Sequence, residues 1–231
     1  MILDLILALI GGAMSPGTAL LHFLFSLVAL LLVFPVHECA HGLTALAFGD
    51  DTAKRQGRIS LNPLRHIDLI GFLCMLFIGF GWARPVQYDS RYFKRRRLGT
   101  VLTAAAGPLS NLLFCFLSCL LYVLFAFLSA TQNSVLLSIP TLLFYYIALY
   151  NATFAVFNLI PFPPLDGSKI LGEMLPYKSR YEYYNLERFS PIFFFALILI
   201  LNRFNFIGVL SNWILHLFSA PVTSILGGLF G

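Results

Sequence analysis

The chain has 231 residues, of which 59% are apolar and only 11% charged, with a formal net charge of +5. Soluble domains average roughly 45–50% apolar and about 25% charged residues, so an ordinary water-soluble enzyme is excluded and a polytopic membrane protein is expected. Ten of the fifteen basic residues fall between Lys54 and Arg97; such a cluster beside membrane spans follows the positive-inside rule and gives no reason to expect a nucleic-acid partner.

In chain order, residues 1–13 form a short apolar segment ended by Gly11, Gly12 and the run Ser15-Pro16-Gly17. The first Lys or Arg is Lys54, so the basic start of a signal peptide is not expected. A long helix is predicted over 18–48, with Pro35 inside it unable to donate to the Leu31 carbonyl and Gly49 as its stop. Residues 50–97 are mixed in polarity. The apolar patch at 69–80 is too short to cross, and its flanking Gly and Pro suit a re-entrant or hairpin segment with strands near 56–62 and 82–88. From Leu98 to Leu165 there is no Asp, Glu, Lys or Arg, which is long enough for two spans, near 98–130 and 136–160, with residues 130–134 as the turn. A polar loop follows at 176–188, then a final apolar region, 191–230, broken at Asn202–Asn205. The expectation is an all-α polytopic membrane protein: one domain over 1–231, about six transmembrane segments, and a re-entrant or β-hairpin segment after the first long helix.

The basic cluster Arg91, Lys94, Arg95, Arg96 and Arg97 is expected on the cytoplasmic side, together with Lys178, Arg180 and Arg188. It suits contact with anionic lipid, and the ordinary topology rule explains it equally well. The four cysteines all lie in apolar segments. Cys115 and Cys119 share a helix face and could bind a soft metal, but reading them as small buried hydrophobes fits better.

Within the 18–48 helix stands His37-Glu38-Cys39-Ala40-His41, an H-E-x-x-H pattern. On a helix, positions i and i+4 share one face a turn apart, so both imidazoles can reach one zinc ion. The intervening glutamate is placed to act on water at the metal. Three ionisable groups at membrane depth would be costly without such a partner. Catalytic zinc commonly keeps three protein ligands and an open position, so a third ligand is sought at the same depth. Asp166 is the leading candidate, freed from the preceding helix by Pro161, Pro163 and Pro164; the alternatives for it are an N-cap role for a helix starting at Gly167 or an ion pair with Lys169. His66 is the rival ligand, read as a solvated loop residue. His22 lies about 22 Å up the helix, and His216 reads as structural or interfacial.

The pairing of His37-Glu38-Cys39-Ala40-His41 with Asn158-Leu159-Ile160-Pro161-Phe162-Pro163-Pro164-Leu165-Asp166-Gly167 in a later segment resembles the site-2 protease family of intramembrane zinc metalloproteases. Residues 104–111, 58–68 and 81–86 resemble intervening segments of that group, and the likeness is to compact members without a PDZ-like domain. The resemblance implies one zinc per chain held by His37, His41 and Asp166, with Glu38 as general base. It implies that Asn158 steadies substrate or oxyanion, for which a helix-end hydrogen bond is the alternative. Asn111 is a candidate substrate contact, though close helix packing alongside Gly107 and Pro108 is the favoured reading. The resemblance further implies a hairpin around 56–88 beside the active site that pairs with unwound substrate.

The expected activity is hydrolysis of peptide bonds within or near transmembrane segments of membrane protein substrates, in regulated intramembrane proteolysis. The expected setting is a multi-pass protein in lipid, by resemblance in a bacterial cell membrane, with its site toward the cytoplasm. The competing reading is a non-hydrolytic membrane protein that binds or transports metal. That reading needs ligands along a path, whereas this sequence gathers them at one depth. Nothing in the sequence specifies an oligomeric state.

Overall fold

The structure, a computed structural model, describes residues 2–78, 81–186 and 190–230. The described residues form ten α-helices and no strand. After α1 (Ile2–Ile10), α2 (Pro16–Phe48) begins at Ser15, whose hydroxyl accepts from the Thr18 N–H, with Pro16 at the first helical position. It runs without a break through Pro35 and ends at Gly49, which takes φ 111°. Its 33 residues cover about 50 Å. That exceeds a hydrocarbon core of about 30 Å, so part of the helix stands beyond it.

A four-residue turn of helix, α3 (Thr52–Arg55), and α4 (Leu69–Ile78) lead to the long helix α5 (Arg96–Thr131). A tight turn, with Asn133 at φ 51°, reverses the chain into α6 (Val135–Asn158). Then come α7 (Asp166–Met174), α8 (Tyr177–Leu186), α9 (Ser190–Arg203) and α10 (Phe206–Phe230). Four helices, α2, α5, α6 and α10, are long and apolar enough to cross a membrane. About six crossings were expected; α1 with 9 residues and α9 with 14 fall short of the roughly 20 that a span needs.

The centre of the bundle is the α5–α6 pair, with α2 packed on both and α10 on the opposite side. Cys115 and Cys119 are buried against Ala148, Ala152 and Leu215. Small residues here let the backbones approach, which in lipid is what favours helix association, so this cysteine pair is a packing element. Above the site, Leu30 and Phe34 of α2 meet Met75 and Leu76 of α4, with Phe154 of α6 against them.

Two sequence expectations need correction. Residues 56–62 and 82–88 do not form a ladder; a single antiparallel bridge joins Ile67 to Ala83, and the Arg84 N–H donates to the His66 carbonyl at 2.8 Å. Side chains do the remaining work: the Arg58 guanidinium donates to the Arg84 carbonyl (2.6 Å), the Pro85 carbonyl (3.2 Å) and the Arg65 carbonyl. The polar stretch 176–188, read as a loop, is helical over Tyr177–Leu186. The Pro176 carbonyl accepts from the Arg180 N–H at 2.9 Å, and the Arg180 side chain ties the helix back to α7 through the Glu173 carboxylate at 3.0 Å and the Glu173 and Leu175 carbonyls. Arg188 lies outside the described residues, as do positions 79 and 80 of the apolar patch.

Candidate metal centre

The C-terminal third of α2, the first half of α5, the last turns of α6 and the start of α7 all lie at one end of the bundle. His37 and His41, one turn apart on α2, turn the same face toward α5 and α6. Their rings are 4.6 Å apart between centroids and nearly perpendicular. Helix α5 packs against both rings at Gly107, where a Cβ would clash with His41 Nε2 and come within 2.6 Å of Cε1 in both rings. Only glycine allows that approach.

The Nδ1 atoms of both rings are engaged from behind. His41 Nδ1 lies 2.6 Å from the Thr103 carbonyl oxygen, which can only accept, so Nδ1 carries the proton. His37 Nδ1 lies 2.7 Å from Asn111 Oδ1. Asn111 Nδ2 donates to Asn151 Oδ1 at 2.8 Å, and Asn151 Nδ2 donates to the Ile147 carbonyl at 2.8 Å. That chain ends on a carbonyl and therefore has one direction, which makes His37 Nδ1 a donor as well. Asn111 and Asn151 are fully buried, so water does not compete for these bonds.

In its neutral form, each ring with its proton on Nδ1 presents Nε2 as an acceptor. The two Nε2 atoms are 3.0 Å apart, and each is 3.1 Å from Asp166 Oδ2. One proton can bridge only two of these three acceptors, whereas a cation satisfies all three. Ligands at about 2.0–2.1 Å in a tetrahedral zinc site stand roughly 3.3 Å from one another, close to the spacing here. Two imidazoles and a carboxylate, oriented by partners on their far sides, make a donor set suited to zinc. Among the described residues this is the single group of three such side chains close enough to share an ion.

Asp166 reaches this point because the chain is interrupted. Helix α6 ends at Asn158, and α7 starts at Asp166 without a side-chain cap from Leu165. Its carboxylate is aimed at the histidines rather than at its own helix end. The other oxygen, Oδ1, lies 3.7 Å from Lys169 Nζ, so the ion pair expected as an alternative coexists with the convergence on the rings.

Glu38 projects beside the cluster, and its Oε2 accepts from the Val86 N–H at 2.7 Å. The extended segment 82–89 that supplies this N–H is pinned by Asp50, which is buried. Asp50 Oδ2 accepts from the Asp89 N–H at 2.7 Å, while Oδ1 accepts from the Thr52 N–H at 2.9 Å. A cavity of about 630 Å³ opens over His37, Glu38, His41 and Asp166, walled by Trp82, Val86 and Tyr88 of the extended segment, Phe154 and Asn158 of α6, and residues of α9 and α10. Burial pushes the Tyr88 phenol above its ordinary pKa. For Lys169, burial works against the charge, but Tyr88 and Asp166 outweigh it and hold the ammonium above its ordinary value.

Of the expected site residues, His37, Glu38, His41 and Asp166 are brought together. Asn158 lines the cavity, and its Nδ2 donates to the Phe154 carbonyl at 3.0 Å, the helix-end bond considered as its alternative. Asn111 is placed differently from a substrate contact: it stands behind His37, away from the cavity wall. His66 is buried rather than solvated, with Nε2 on the Ser60 carbonyl at 2.7 Å, and belongs to the loop scaffold. His22 bonds Tyr146, and His216 is exposed on α10. Asn151 was not anticipated; an amide in the middle of a charge-free span was the available signal.

Known metalloproteases are similar to this chain. The model of peptidase family M50 matches residues 124–201, a stretch that holds Asn151, Asn158 and Asp166. YwhC of Bacillus subtilis, named a candidate zinc metalloprotease, is 39% identical over 176 residues, covering 75% of this chain and 79% of that protein. Rip2 of Mycobacterium tuberculosis, with the same description, is 30% identical over 196 residues, covering 83% and 73%. A protein of Methanocaldococcus jannaschii with that description is 28% identical over 179 residues, covering 74% and 82%. No solved structure matches the chain.

Proposed function

The chain belongs to peptidase family M50, the site-2 protease group, and on that premise we propose that it is an intramembrane zinc endopeptidase cutting membrane protein substrates within or near their transmembrane segments. The observation that carries this reading is the meeting of His37 Nε2, His41 Nε2 and Asp166 Oδ2 within 3.1 Å, beside Glu38 at a cavity.

His37, His41 and Asp166 would hold the metal. Bound there, zinc supplies Lewis-acid polarisation and acidifies water. Glu38 takes the proton of the attacking water and delivers it to the leaving amine, with the Val86 N–H orienting its carboxylate. A scissile bond must first leave its helix, because helical backbone is hydrogen-bonded to itself. The extended segment 82–88 on the cavity wall is suited to hold a substrate strand by backbone pairing. Asn158, also on that wall, is placed to touch substrate if it leaves its helix-end bond. Helix α4 covers about 15 Å, half of a hydrocarbon core, and is proposed as the re-entrant element of the expected fold. The basic residues Arg91–Arg97 stand at the same end of the bundle as the site, which supports a cytoplasmic active site by the positive-inside rule. Metal transport finds no support, since the ligand groups lie at one point.

The test is Glu38→Gln in the purified protein, assayed on a single-span substrate in detergent or liposomes. Cleavage should fall about 10²–10⁴-fold, the usual contribution of a general base, while bound zinc stays near one per chain. A Gln variant that cleaves like wild type would remove Glu38 from the mechanism.

A further inference from the structure

Lys169 sits one turn beyond Asp166 on α7, and nothing in the proposed hydrolysis uses it. Its Nζ lies 3.7 Å from Asp166 Oδ1, the oxygen turned away from the histidines, and 5.2 Å from the centre of the Tyr88 ring. Both Lys169 and Tyr88 line the cavity. The Lys169 side chain keeps 40% of its surface accessible, while its ammonium stands against an aromatic ring and a carboxylate. An ammonium near a ring face at this distance is attracted by the ring quadrupole, which gives a long, flexible side chain a defined place.

Asp166 has two oxygens of equal basicity. Left alone, its carboxylate can rotate and offer either or both to a cation. With Oδ1 facing an ammonium, Oδ2 is the oxygen presented to His37 and His41. We propose that Lys169, held in place by Tyr88, is a positioning residue that fixes Asp166 in one-oxygen presentation to the metal and thereby ties metal ligation to the extended segment 82–88. The inference rests on the metal reading above. It gives the segment two attachments at the site: the Val86 N–H reaches Glu38, and Tyr88 reaches Asp166 through Lys169. Partners that orient a ligating carboxylate are commonly worth about 10–100-fold in metal affinity.

The experiment is zinc affinity of the full chain in detergent, measured by competition with a chromophoric chelator and run beside the thermal unfolding of the metal-free protein. Lys169→Met should weaken zinc about 10–100-fold without lowering the unfolding temperature of the metal-free form. Lys169→Arg, which keeps a cation near the carboxylate and the ring, should weaken zinc less than Lys169→Met. Tyr88→Leu, which leaves the lysine in place but removes the ring, should weaken zinc by a smaller factor, and it serves if Lys169→Met does not fold. Asp166→Ala separates the two levels of the argument. If Asp166→Ala binds zinc like wild type, the ligand set itself is wrong. If Asp166→Ala loses zinc while Lys169→Met and Tyr88→Leu match wild type, the ligand set stands and the role given to Lys169 is overturned. Equal weakening in Lys169→Met and Lys169→Arg would also overturn it, since a requirement for the lysine shape alone is a packing role.

Discussion

The two sides of the site are held by different means. The histidine rings are fixed from behind, inside the bundle, by the Thr103 carbonyl and by the amide chain Asn111–Asn151–Ile147, all on helices and away from water. Glu38 is fixed from the front by one backbone N–H of an extended segment that lines the cavity and is itself pinned by Asp50 and Arg58. The contrast separates two requirements. Ligand geometry has to persist whether or not substrate is present, and buried hydrogen bonds between helices provide that. On the proposed mechanism the base has to face the same space that a substrate strand enters, and a segment without a ladder of its own can adjust there.

If the division is real, substitutions on the two sides should fail in different ways. The largest effect belongs to the ligands: His37→Ala or Asp166→Ala should remove both bound zinc and cleavage, read by metal analysis and the substrate assay. Next is Asn111→Leu, which takes the acceptor from His37 Nδ1 and frees the ring to adopt the wrong tautomer. Zinc affinity should drop about 10–100-fold, with cleavage restored by excess zinc. On the front side, Val86→Pro removes the N–H that orients Glu38. A hydrogen bond to a charged group contributes about 1.5–3 kcal/mol, so kcat should fall about tenfold or more while zinc affinity holds; Val86→Ala, which keeps the N–H, should be close to wild type. The smallest effect is expected from Asn151→Leu. Asn111 Nδ2 then loses its 2.8 Å partner but still has the Val33 carbonyl at 3.5 Å, so zinc affinity should change only a few-fold, against about 1–3 kcal/mol for a buried donor left with nothing. Zinc loss in Val86→Pro, or full zinc affinity in Asn111→Leu, would break the comparison.

Much of the ligand side was legible in the residues themselves. Two histidines at i and i+4 in an apolar helix have one economical explanation, and an aspartate after a charge-free span and three prolines is a natural third partner. What completes the site was less visible, because it depends on which helix faces which. Asn111 was noticed as a substrate candidate and as a packing residue but not as the partner of His37, since its register against that ring is set by how close α5 comes to α2 at Gly107. Asn151 passed unremarked in an apolar run. On the front side, Gly and Pro punctuation suggested a hairpin, yet the segment is held by the Arg58 and Asp50 side chains, and punctuation carries no information about such contacts. The polar run at 177–186 lacks an apolar stripe, so its helix is secured by the bonds of Arg180 to α7 rather than by burial.

The central claim is the identity of the metal's protein ligands, and X-ray absorption spectroscopy of the zinc-loaded full chain tests it most directly. The account predicts a first shell of nitrogen and oxygen at about 2.0–2.1 Å with the scattering of two imidazoles, reduced to one in a His41→Ala variant reloaded at high zinc. A sulfur shell at about 2.3 Å, or a spectrum unchanged by His41→Ala, would contradict it.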